Sequence, residues 1–140
     1  MRCRIKGIGE IALRAHDLDA MAHFYGEIVG LELIQRFETA VFFRVADGVA
    51  GHTQMLGLLA ESVGRDSVGQ PLVEPRVEAS TLHHFALEIA KDDFEPERER
   101  LEGLGCDVTE AAHEWAQVRS LYVNDPEGNV VEWVCFDPSL

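Results

Sequence analysis

Cysteine is scarce in this chain. Cys3, Cys106 and Cys135 are odd in number, widely spaced and form no C-x-x-C pair. Such usage excludes a disulfide framework and a thiolate zinc site, and fits free thiols in a reducing cytoplasm. Positive charge is also short: 12 Lys and Arg stand against 25 Asp and Glu, for a net charge of −13. No basic cluster offsets that field, so nucleic acid is not expected as a partner, whereas a metal cation is. Long apolar runs are missing too, and nothing approaches the roughly 18 residues of a membrane span. The basic opening, Met1 to Lys6, leads to Glu10 and Arg14. A secretory signal needs an uninterrupted apolar stretch there, so none is read, and the cytoplasm is the expected location.

What is present is globular material. Hydrophobic residues make up 46% and charged residues 26%, which excludes a disordered or collagen-like chain. A chain of 140 residues predicts one domain. At this size folding removes about 68–70% of the extended surface from water, enough for a real core.

The chain reads as one unit written twice. Ile8-Gly-Glu-Ile-Ala-Leu-Arg14 aligns with Leu82-His-His-Phe-Ala-Leu-Glu88, which sets Glu10 over His84. Gly30-Leu31 then falls on Gly103-Leu104, Arg44-Val-Ala-Asp-Gly48 on Tyr122-Val-Asn-Asp-Pro126, and Gln54 on Glu132. The preserved order predicts a duplication with small insertions.

Each copy carries the same coarse pattern. Ile8–Ala15 reads as a buried strand, followed by a helix capped by Asp17 or Asp19, with Met21, Phe24, Tyr25 and Ile28 at helical spacing. Gly30 sits where a left-handed cap is expected. Strands follow near 31–38, 40–46 and 52–60. In the second copy a strand over 81–90 precedes a helix over 94–103, with Pro96 in its first turn. Strands near 105–111, 115–123 and 129–136 complete it, the last two joined by the turn Asp125-Pro-Glu-Gly128. The expectation is a single α+β domain over 1–140: a βαβββ module at 5–61, a linker or ordered arm at 62–80, and a second module at 81–137.

Chemistry concentrates at few positions. His84 opens a strand, where an imidazole serves either as a ligand or as a hydrogen-bonded core group. Glu132 lies in Val130-Val-Glu-Trp-Val-Cys135, where an unpaired carboxylate is expensive to bury. It therefore faces solvent or meets something positive. Glu10 and Gln54 are their repeat partners, and all four side chains converge if the units close around one cleft. His52 shares the strand parity of Gln54 and is a candidate for substrate contact. Arg44 and Tyr122 match across the repeat, and Arg44 is suited to holding a substrate carboxylate. His113 and Arg119, around the penultimate strand, are further candidates, while Trp115 is read as packing. His16 and His23 are assigned no role. His83 is read as a neighbour pointing away from His84.

The segments from Ile8 to Leu33, Leu82-His-His-Phe-Ala-Leu-Glu88 and Asp125-Pro-Glu-Gly-Asn-Val-Val-Glu-Trp133 resemble the vicinal oxygen chelate superfamily, which includes glyoxalases, bleomycin resistance proteins and extradiol dioxygenases. The resemblance implies paired βαβββ modules in a U-shaped mixed sheet around one divalent metal, often in homodimers. It assigns the metal slots to Glu10, Gln54, His84 and Glu132. The first slot is histidine in many members, so Glu10 is a departure. The dioxygenase branch leaves the Gln54 slot unused, while glyoxalase I and methylmalonyl-CoA epimerase patterns use all four.

Non-haem iron oxygenases rely on two histidines and a carboxylate. A carboxylate in place of one imidazole hardens the site toward Mg²⁺ or Mn²⁺, with Ni²⁺ or Zn²⁺ also possible. Such an ion suits polarising a carbonyl and stabilising an enediolate. The expected function is thus a metal-dependent isomerase or lyase acting on a chelated hydroxy-carbonyl substrate, with Glu10 or Glu132 doubling as general base. Two alternatives stay open: an iron-dependent extradiol-type dioxygenase, and a metal-free, bleomycin-resistance-like protein that binds a cationic ligand drawn in by the acidic field.

Overall fold

Alternating apolar residues in each half of the chain build a four-stranded sheet. The computed structural model describes residues 3–63 and 82–140, which belong to two compact units, one on each side of residues 64–81. The predicted linker or arm at 62–80 lies outside the described residues, apart from Ser62 and Val63.

The first unit runs β1 (Glu10–Ala15), α1 (Leu18–His23), β2 (Glu32–Arg36), β3 (Ala40–Asp47) and β4 (Thr53–Ala60). The second runs β5 (Phe85–Glu88), α2 (Phe94–Gly103), β6 (Thr109–His113), β7 (Val118–Asn124) and β8 (Val130–Phe136). Strand orders are β1-β4-β3-β2 and β5-β8-β7-β6. In each sheet the first and last strands pair in parallel and the other pairs are antiparallel. The βαβββ repeat and the α+β class follow directly. No described helix is long and apolar enough to cross a membrane.

Asp17 starts α1 from an extended backbone, its Oδ1 accepting the Ala20 N–H at 3.0 Å. The helix does not continue regularly to Ile28 as its spacing predicts. It widens into a π-turn over Phe24–Ile28, where the Val29 N–H reaches back to the Phe24 carbonyl. The consecutive Phe24 and Tyr25 are both buried there, with rings edge to face at 5.1 Å. Full burial of a large apolar side chain contributes about 1.5–3 kcal/mol, which outweighs the weaker geometry of a single wide turn. The same face of unit one buries Leu13, Val41, Phe43, Leu56 and Leu58. In unit two, α2 buries Phe94 and Leu101, and Leu121, Val123, Val131 and Trp133 are buried in the sheet.

The ladders revise the internal alignment. With Ile11-Ala-Leu-Arg14 set on Phe85-Ala-Leu-Glu88, Ala12 pairs with Gly57 just as Ala86 pairs with Glu132. The burial profile of residues 55–59 also repeats at 130–134. Gly57, not Gln54, is therefore the counterpart of Glu132. By the same register Phe42, not Arg44, corresponds to Tyr122, and Ala40 to Ser120. The left-handed cap of Gly30 (φ 86°) has its match in Gly105 (φ 85°), not Gly103.

The cause is a longer first hairpin. Unit one continues past Arg44↔Met55 through two more ladder pairs, Ala46↔Gln54 and Asp47↔Thr53, with an irregularity between Arg44 and Ala46. In unit two the described ladder ends at Asn124↔Val130. The sequence comparison matched the two turns, whereas the structure matches the strands.

Trp115 is a second correction. It lies in a 3-10 turn, Glu114–Ala116, and is 90% exposed, not packed. Gln117 then turns the chain through a left-handed φ of 54°, so β7 begins only at Val118.

Candidate metal site

Strand alternation divides the second sheet into two faces. Arg119, Leu121 and Val123 share the face toward α2, where the Arg119 guanidinium carbon lies 3.9 Å over the Phe94 ring. Ser120, Tyr122, Glu132, Ala111 and His113 share the other. On that face Glu132 is only 6% exposed, between buried Val131 and Trp133. Burying a carboxylate there requires compensation. Ser120 Oγ donates to its Oε1, and His84 Nε2 lies 3.0 Å from its Oε2. Among the described residues, His84 is the only ion-pair partner Glu132 has; no Lys or Arg neutralises it.

His84 is fixed on several sides. Its Nδ1 is 2.7 Å from the His83 Nδ1, and the Tyr122 ring stands edge-on with centroids 6.2 Å apart. Tyr122 sits directly opposite Glu132 in the ladder, and its hydroxyl is 2.9 Å from His113 Nε2. A carboxylate, a phenol and an imidazole thus occupy one face of the adjacent strands β8, β7 and β6, and the His84 imidazole joins them from the residues just before β5.

The pair His84–Glu132 fits a divalent cation. Two donors about 2.1 Å from one ion at a right angle lie about 3.0 Å from each other. The observed nitrogen–oxygen separation is 3.0 Å. Neutral imidazole with carboxylate is a mixed donor set that Mg²⁺, Mn²⁺, Ni²⁺, Zn²⁺ and Fe²⁺ all accept. Among the described residues no three His, Cys, Asp or Glu side chains form a metal cluster.

In the first unit, Glu10 begins β1 opposite Met55. Its Oε1 lies over Gly57, 3.1 Å from where a β-carbon would stand, and the Phe42 ring closes on the same point at 3.1 Å. Alternation places Gln54 on the face of Leu56 and Leu58, opposite the face of Met55 and Gly57. His52 closes the β3–β4 turn, its carbonyl accepting the Gly48 N–H at 2.7 Å. Arg44 is engaged by Asp47 at 2.7 Å and Glu32 at 3.9 Å. Arg119 spans Glu110 and Glu95 at 2.8 and 2.9 Å, and these two carboxylates hold its pKa above the ordinary guanidinium value. Both arginines already carry acids of this chain.

Two participants escaped the sequence reading. Ser120 is a fully buried hydroxyl in an apolar strand, at the parity of Tyr122, and that parity was the available signal. Strand alternation alone points His83 away from His84. Both histidines, however, precede β5, which starts at Phe85, so alternation does not govern them.

Comparison with known proteins agrees with the fold. A family model described as the Glyoxalase/Bleomycin resistance protein/Dioxygenase superfamily matches residues 7–133. A glutathione transferase FosA of Serratia marcescens is 28% identical over 132 residues, covering 91% of this chain and 79% of that protein. Among solved structures, a lactoylglutathione lyase from Agrobacterium tumefaciens is 32% identical, with 94% of each chain covered and a TM-score of 0.70. A glyoxalase/bleomycin resistance protein/dioxygenase from Nocardioides shares the fold at a TM-score of 0.71 and 23% identity, covering 99% of this chain and 89% of that one.

Proposed function

The chain belongs to the glyoxalase/bleomycin resistance protein/dioxygenase superfamily, and from that premise we propose that it is a metal-dependent enzyme of isomerase or lyase type. Its substrate is a small molecule with adjacent hydroxyl and carbonyl oxygens. His84 and Glu132 hold the divalent ion, and Glu10, the first-slot residue of the resemblance, is a further donor or the general base. The observation that carries this reading is the buried Glu132 with His84 Nε2 at 3.0 Å and, among the described residues, no Lys or Arg beside it.

A divalent ion at such a site supplies Lewis acidity, polarising a carbonyl and easing loss of the neighbouring proton. The rest falls to the chain. Ser120 holds one Glu132 oxygen in place. Tyr122, backed by His113, presents a phenol from the strand beside Glu132 and is suited to orienting a substrate oxygen. His52, Arg44 and Arg119 are weaker candidates for substrate contact, since their observed partners are a turn and four acids. Gln54 remains a proposed slot by resemblance only.

A glutathione-linked substrate is a second reading. It is favoured because two relatives, a glutathione transferase and a lactoylglutathione lyase, carry glutathione in their names. Assembly as a homodimer is part of the proposal and is checked by analytical ultracentrifugation.

Elemental analysis of protein purified without a chelating tag tests the core of the reading. The expected result is about one divalent ion per chain, lost in His84→Ala. Activity screening with that ion restored, with and without glutathione, then identifies the substrate class. A metal-replete His84→Ala protein would overturn the assignment.

A further inference from the structure

The His84 ring is engaged at both nitrogens, and the partner at Nδ1 is unusual. Its Nδ1 lies 2.7 Å from the Nδ1 of His83, with the rings edge to face at 5.0 Å and 73°. Two lone pairs at that distance repel, so one ring donates and the other accepts. The direction depends on what faces Nε2. When a neutral His84 carries its proton on Nε2, toward the Glu132 oxygen 3.0 Å away, its Nδ1 is a lone pair. Nδ1 of His84 then accepts from His83. A cation at Nε2 needs the lone pair instead, so the proton must sit on Nδ1 and find an acceptor. An imidazole can play either part at one position, whereas a backbone carbonyl or a carboxylate can only accept.

We propose that His83 is a positioning residue for His84: by donating to or accepting from Nδ1 it selects the His84 tautomer and so sets how readily Nε2 is offered to a divalent cation. This rests on the reading of His84 and Glu132 as cation ligands. For two neutral rings the protons balance. The proton between the two Nδ1 atoms crosses from His83 to His84, His84 releases the one on Nε2, and His83 gains one at its own Nε2. His83 is exposed, so water can supply that last proton.

Co²⁺ binding separates the possibilities. His83→Phe keeps a ring but no nitrogen; His83→Asn places an amide close to the lost Nδ1, able to donate or accept. His83→Phe should weaken Co²⁺ binding about 10–100-fold, the usual effect of losing a ligand's hydrogen-bond partner. It should also alter the Co²⁺ visible spectrum, while thermal unfolding of the metal-free protein stays near wild type. His83→Asn should recover most of the affinity. In nitrogen-15 spectra, His83 should be protonated at Nδ1 in the metal-free protein and at Nε2 once Zn²⁺ is added. Wild-type Co²⁺ affinity in His83→Phe, with binding lost in His84→Ala, overturns this inference and leaves the metal site standing. Equal binding by wild type and His84→Ala, or none by wild type, overturns both.

Discussion

Glu132 is a carboxylate in a strand whose other members are valines, a tryptophan, a cysteine and a phenylalanine, and it stays there because Ser120 and His84 occupy its two oxygens. Ser120→Ala removes one of them without adding bulk. A hydrogen bond to a charged group is worth about 1.5–3 kcal/mol, so denaturant unfolding should show a loss of that size. Gly57→Ala acts on unit one. Its new β-carbon stands 3.1 Å from both Glu10 Oε1 and the Phe42 ring, so one of them must shift. If Glu10 serves the site, Gly57→Ala lowers metal affinity or turnover in the wild type but adds nothing in a Glu10→Ala background. Additive losses in that double-mutant cycle would show that Gly57 acts elsewhere. Glu132 stands out in the sequence as a charged residue inside an apolar run, and His84 as the imidazole that opens the second copy of the repeat. Ser120 and His83 were not: a small hydroxyl interrupts no pattern, and a histidine ahead of the strand escapes its alternation.

At the level of elements, caps were easier to read than strand limits. Asp17 declares the start of α1 through a side chain that satisfies the Ala20 N–H. The start of β7 was displaced by Gln117, whose left-handed backbone carries no marker such as glycine or asparagine. The end of β8 is tied down by Asp137. Its carboxylate takes the Lys91 ammonium at 2.7 Å, then the Ser139 hydroxyl and N–H, and these hold its pKa down from 3.8 to about 2. A lowered pKa contributes stability above the unfolded value and loses it as pH falls through the folded one. Asp137→Asn should therefore be less stable than wild type near neutrality. The gap should close between about pH 4 and pH 2. A gap that persists at pH 2 would mean that the charge is not its source.

For the whole molecule, the repeat was visible in the sequence and its register was not. Turns are marked by Asp, Gly and Pro, so the similarity of the two copies is strongest turn against turn. Ladder pairs carry no such marks, and two added pairs in the first hairpin moved every later correspondence. A resident cation would also bear on the stability of the whole chain. A ligand bound only to the folded state stabilises it by about 2.7 kcal/mol at a hundred times its dissociation constant. Chelator treatment should thus lower the unfolding temperature of the wild type and leave that of His84→Ala unchanged. An identical drop in both would point to an ion held elsewhere.

The counterpart of the Ser120–Glu132 pair in the first unit is Ala40 and Gly57, so hydroxyl and acid are missing together. The halves have ceased to be interchangeable. One carries its acid on the closing strand, and the other has cleared that place for an acid arriving from its opening strand. Glutamate installed at 57 would bring its β-carbon to 3.1 Å from both Glu10 Oε1 and the Phe42 ring, so restoring the symmetry displaces the acid that now fills that place.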